Sequence, residues 1–192
     1  MTLMPPKVDS NDDLPALLIH ELRQVRASLH GLTTEQAASH PTASALSLSG
    51  IAMHCAQVAH GWLVTAQRAP DVVPVEHYPG ISAQLGFMRM HEGLEDLSGT
   101  PVEDVQRQLD RCIDFILADG LGLFDVDVRV PLGDRRWPGV GDSVSGIWVW
   151  QHLIAEVARH AGHADILRES IDRAVSPDLT DLDSPGANAN VQ

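Results

Sequence analysis

Basic side chains are scarce in this chain of 192 residues, with 13 Lys and Arg against 26 Asp and Glu and a formal charge of −13. A non-specific grip on phosphate needs the opposite sign, so nucleic acid and anionic membrane surfaces are poor partners. Long apolar runs are missing too. No stretch approaches the roughly 20 apolar residues of a membrane span. Met1 to Asp13 holds one Lys, two Pro and three Asp where a signal sequence would carry an apolar segment, which points to the cytoplasm. Cysteine is limited to Cys55 and Cys112, each set alone in an apolar helical pattern, so a disulfide framework or a thiolate metal cluster is not expected. Both read as buried, unreactive thiols. Aromatics make up only 4% of the chain while Ala and Leu abound, and that balance leans toward helix. The length suits one all-α domain with a single core.

Helical spacing supplies most of the architecture. Leu14, Leu17, Leu18, Leu22, Val25 and Leu29 recur at steps of three and four, predicting an amphipathic helix from Asp13 to about His30 with Gly31 as its stop. Thr33 and Gln36 have capping-box spacing for a short segment that ends before Pro41. Ile51, Cys55, Val58 and Trp62 form the stripe of a second main helix from Ser47 or Ser49 to about Arg68. Pro and Gly then break every pattern up to Gly99, although a connection of that length calls for a short helix or lid within Ile81 to His91. Thr100, Pro101 and Glu103 predict an N-cap, a first helical residue and a capping-box partner, opening a helix that runs to Gly120. The alternation Val126, Asp127, Val128, Arg129, Val130 suggests a brief extended flap. The last main helix is expected from Ser143 to about Arg173. Residues 1–12 and 176–192 read as disordered polar tails around a 13–175 bundle.

On the last helix, His152, Glu156 and His160 follow at i, i+4 and i+8, with His163 three further on. At about 100° per residue all four lie within roughly 80° of one another. A polar face of this kind is ordinarily the solvated one. The second helix changes the balance, because His54 falls among Ile51, Val58 and Trp62, where a buried imidazole needs a partner. Helical bundles build metal sites from inward Glu and His on facing helices, and imidazole with carboxylate suits zinc, or else nickel, iron or manganese. Spacing alone excludes neither His152 nor His163 from such a site. His20, His30, His40, His60, His77 and His91 belong to no constellation and read as surface or loop residues.

Leu48, Ser49, Gly50 and Ile51 leading into His54 and Trp62, together with the unbroken run from His152 to Glu169, resemble the DinB-like superfamily. The likeness is to its actinobacterial branch, related to the N-terminal domain of mycothiol-dependent maleylpyruvate isomerase, and it spans about Asp13 to Ile171. It implies a DinB-like four-helix bundle with long connections and a short flap before the last helix. It also implies one divalent metal held by His54, Glu156 and His160. Most DinB-like proteins carry His at the position of Glu156, whereas the isomerase-like branch carries Glu. His163, flanked by Gly162 and Asp165 in that run, is a candidate to support a metal ligand or face the substrate, and His152, a full turn nearer the helix start, is expected in a structural or rim position.

Three protein ligands leave a coordination position open, as in catalytic sites. A metal there lowers the pKa of what it binds, giving a hydroxide or, as the resemblance implies, a thiolate from a low-molecular-weight thiol such as mycothiol. The leading expectation is a metal-dependent thiol S-transferase or isomerase acting on a small molecule. The alternatives are a metal-dependent hydrolase and a non-catalytic metal-binding bundle. The chain stops at Gln192 without the second domain of the isomerase, which speaks against maleylpyruvate as substrate. Homodimerisation through bundle faces agrees with the resemblance.

Overall fold

The computed structural model describes residues 4–84, 86, 96–134 and 139–182. Four long helices form its core: α1 (Leu14–Ala27), α3 (Leu48–Gln67), α5 (Val102–Asp119) and α6 (Gly146–Asp172). Short helices α2 (Thr34–Ala38) and α4 (Tyr78–Ala83) lie between them, and α7 (Ser176–Leu182) follows α6. A two-stranded antiparallel flap, β1 (Arg129–Pro131) with β2 (Ser143–Ser145), precedes α6, with Val130 opposite Val144. The result is the all-α bundle with a small flap that a DinB-like architecture requires.

α3 is the central element. It is buried on nearly every side, from Leu48 and Ile51 to Trp62 and Thr65, because α5 and α6 both pack on it. A helix apolar all round belongs inside a protein. α1 packs most extensively on α6 and also meets α5. Leu18, Leu22, Leu63, Leu109, Ile116, Trp150 and Leu153 are among the fully buried side chains of the shared core.

Local signals account for most helix starts. Thr33 caps α2 in a capping box with Gln36, and the Ser47 hydroxyl accepts the Gly50 N–H at 3.0 Å. Gly120, at φ 52°, ends α5 in a conformation that a side chain would resist. The start of α5 departs from expectation. Thr100 does not cap it; Pro101 occupies the cap, and the Val102 N–H donates 3.2 Å to the Thr34 hydroxyl of α2. The donor left over at a helix start is thus satisfied from another helix rather than from its own flank.

α6 likewise begins three residues later than Ser143, since Ser143–Ser145 pairs with β1 and Ser145 becomes the cap. The extended piece is correspondingly Arg129–Pro131 and not Val126–Val130. The Gly146 N–H donates 2.9 Å to the Val128 carbonyl and the Ile147 N–H donates 2.7 Å to that of Val126, which docks the flap onto the first turn of α6. α1 ends at Ala27, and Gly31 closes the following turn at φ 70°. Arg168 fastens that turn to α6. Buried at 5% exposure, it donates to the Ser28 and His30 carbonyls at 2.8 and 2.7 Å, and its remaining donors meet Asp172.

Of the stretch Ile81 to His91, where a short helix or lid is expected, α4 covers Ile81–Ala83 and starts earlier at Tyr78; residues 85 and 87–91 lie outside the described residues. α7 stands at the start of the stretch expected to be a polar tail. Leu179, 3% exposed, gives it an apolar anchor, and it packs against α1. Residues 183–192 lie outside the described residues.

Candidate metal centre

α3 and α6 run antiparallel past each other. Trp62 of α3 meets Trp148 and His152 of α6 at one level, and two turns away His54 meets Glu156 and His160. Spacing of four along α6 sets His152, Glu156 and His160 in a column, and the crossing brings His54 of α3 against its lower half.

His54 Nε2 lies 3.5 Å from Glu156 Oε1, and His160 Nε2 lies 3.3 Å from the same oxygen. The two rings meet edge to face with centroids 4.9 Å apart. The three side chains are 16–20% exposed. One donor atom from each residue falls within 4.8 Å of the others, and among the described residues no fourth His, Cys, Asp or Glu joins the group. Donors about 2.0–2.1 Å from a four-coordinate zinc stand about 3.4 Å apart at the edges of a tetrahedron. Both measured imidazole-to-carboxylate separations match that spacing. The donor set, two imidazole nitrogens and one carboxylate oxygen, is therefore capable of chelating a divalent ion.

Electrostatics favour the same occupant. Burial, with the neighbouring His54, Arg159 and His163 as lesser causes, lowers the His160 pKa to about 4. At neutral pH the ring keeps its lone pair for a metal rather than a proton. His160 Nδ1 is buried without a hydrogen-bond partner, so Nε2 is the nitrogen turned to the cluster. Glu156 divides its carboxylate between two tasks: Oε1 faces the imidazoles, and Oε2 is ion-paired with the Arg159 guanidinium one turn on. Arg159 was not singled out by the sequence reading, although Glu and Arg three apart on a helix are a recognisable pairing signal.

His152 stays out of the cluster. Its ring stacks on Trp148 at 4.8 Å and meets Trp62 edge-on at 5.4 Å, and burial, then the charge of Arg159, lowers its pKa. His163 is half-buried three residues beyond His160. His30, His40 and His77 are exposed or half-exposed as expected, and His91 lies outside the described residues. Two histidines overturn the surface reading. His60 is 2% exposed and edge-on to Phe115 at 4.7 Å, because the side of α3 away from the metal cluster faces α5 and not solvent. His20, 8% exposed, is buried beside Gln24 on α1. Cys55 and Cys112 are buried free thiols whose pKa values burial pushes up, as inert cysteines require.

With this geometry in place, the comparison with known families is direct: the mycothiol-S-transferase family profile matches residues 13–173. The chain belongs to the mycothiol-S-transferase family. The match takes in all four core helices and every residue of the donor cluster. No curated protein and no solved structure matches the chain. No helix among the described residues is long and apolar enough to cross a membrane.

Proposed function

We propose that this protein is a metal-dependent enzyme in which His54, Glu156 and His160 hold one divalent ion, zinc by preference, with nickel, iron or manganese as substitutes. It joins a low-molecular-weight thiol such as mycothiol, through its sulfur and with loss of the thiol proton, to an electrophilic small molecule, or adds and releases that thiol to isomerise the substrate, in the cytoplasm. One observation carries the reading: two imidazole nitrogens and one carboxylate oxygen converge at chelating distance, and no fourth donor among the described residues joins them. Catalytic sites keep such a place open, whereas structural sites fill it. Membership of the mycothiol-S-transferase family favours a thiol as the group that enters.

The ion, when bound, supplies Lewis-acid chemistry that makes a thiol or water acidic at neutral pH. The chain's own residues do the rest. Glu156 contributes the one negative charge of the donor set. Burial keeps the His160 ring neutral, so it binds the ion without first releasing a proton. His163, half-buried three residues beyond His160, is the residue we assign to contact a bound substrate or to orient a ligand. His152 is held between Trp148 and Trp62, one turn from Glu156.

A metal-dependent hydrolase is the second reading, since the same open position accepts water. The two separate in one assay. Purified protein of known metal content is given a reactive electrophile with and without mycothiol, before and after chelator treatment. Thiol-conjugate formation that needs both metal and thiol supports the proposal. Turnover indifferent to the thiol would establish hydrolysis instead, and conjugate formation at the same rate after metal removal would end the metal-dependent reading.

A further inference from the structure

Glu156 presents two oxygens to two different neighbours. Oε1 faces His54 and His160 at 3.5 and 3.3 Å, while Oε2 is ion-paired with Arg159. The exposures are unequal: the Glu156 side chain is 17% exposed and that of Arg159 is 70% exposed. A long, largely exposed side chain therefore reaches from solvent to one atom at the edge of the donor cluster. Holding Arg in one geometry loses rotamer entropy, and an exposed ion pair returns little stability. Stability is a weak reason for the arrangement, and a role at the cluster is a better one.

Carboxylates bind divalent ions through one oxygen or through both. A Glu156 that swung both oxygens inward would take up the coordination position that the proposed reaction needs for its thiol. We propose that Arg159 is a positioning residue: by engaging Oε2 it restricts Glu156 to a one-oxygen ligand and keeps the remaining position free for substrate. This rests on the metal-site reading above. A guanidinium suits the task because its charge is permanent and its donors lie in a fixed fork. The Arg159 guanidinium is bonded to Glu156 Oε2, and its charge reaches the His160 ring only as a lesser influence beside burial, so its direct hold on the cluster is through the carboxylate.

Cobalt(II) in place of zinc makes this visible, because its d–d absorption is intense in four-coordinate sites and weaker as coordination rises. Apo protein is loaded with one equivalent of cobalt as wild type, Arg159→Met and Arg159→Lys, then titrated with 2-mercaptoethanol while the sulfur-to-cobalt charge-transfer band is followed. The Arg159→Met variant is expected to show a weaker d–d band and to bind the thiol on the order of tenfold less tightly, the scale on which groups bonded to a metal's ligands act. Arg159→Lys, which keeps a cation beside Oε2, is expected to stay nearer wild type. Because Arg159 is largely exposed, melting of the apo variants should match wild type. An unchanged d–d band together with unchanged thiol affinity in Arg159→Met would overturn the proposal while leaving the metal site standing. A wild-type protein that takes up no cobalt would instead bring down the underlying site, and the proposal with it.

Discussion

Removal of the His160 imidazole is the sharpest test of the donor cluster. Four-ligand zinc peptides bind their ion with roughly 10–16 kcal/mol, or about 2.5–4 kcal/mol for each donor. Among the described residues His160 is one of three protein donors brought together, and its Nε2 already stands 3.3 Å from Glu156 Oε1. His160→Ala should therefore weaken zinc binding by on the order of 10²–10³-fold. Little of that loss is masked by protons. With its pKa lowered to about 4, His160 is neutral throughout the range from pH 6 to 8, so the wild-type advantage should stay flat there rather than grow with pH.

The measurement has two parts: metal stoichiometry by elemental analysis after dialysis, and zinc affinity by competition with a chromophoric chelator. His54→Ala should behave like His160→Ala. His163→Ala and His152→Ala should retain one equivalent, because neither ring belongs to the cluster of donor atoms. Stoichiometric zinc at undiminished affinity in both His54→Ala and His160→Ala would refute the reasoning outright. Zinc lost equally in His152→Ala would show that the donor set is larger than the three residues brought together here.

Two further predictions concern the frame that holds the cluster. His60, buried against Phe115 with its pKa lowered from 6.5 to about 4, is neutral in the folded chain and protonates more readily once unfolded. Its contribution to stability is complete above pH 6.5 and is lost as the pH falls toward 4, by on the order of 3 kcal/mol. His60→Leu should flatten that portion of the curve when denaturant midpoints are compared at pH 7 and pH 5, and an unaltered slope would contradict the burial argument. Gly146, the first residue of α6, has no room for a side chain: a Cβ would stand 2.4 Å from the Asp125 carbonyl oxygen and 3.0 Å from that of Val126. Gly146→Ala should destabilise by about 1–3 kcal/mol, a fall of several degrees in Tm by calorimetry, and a Tm equal to wild type would show that the flap yields freely.

What could be read from the chain alone was what lies within a few residues of itself. The stripes of α1 and α3, the Thr33–Gln36 box and the stop at Gly120 are local, and the structure keeps them. The column His152, Glu156, His160 was legible for the same reason, since a helix converts a spacing of four into a shared face. The features that went unread are settled by distant partners. Val102 finds its acceptor on Thr34, and Ser143–Ser145 becomes a strand only because Arg129–Pro131 lies opposite. His60 is buried because α5 covers the side of α3 that α6 leaves open.

The cluster sits across this divide. Its two halves are local patterns, one on each helix, yet spacing does not decide between His152 and His160 as the neighbour of His54; the family resemblance implies His160, and the structure sets that ring 4.9 Å from His54. The antiparallel crossing supplies the physical reason. With Trp62 set against Trp148 and His152, the turn holding His54 must fall beside Glu156 and His160. The two tryptophans thus mark the register of α3 on α6, and a substitution that let the helices slide by one turn would carry the imidazole away from its carboxylate without touching any donor atom.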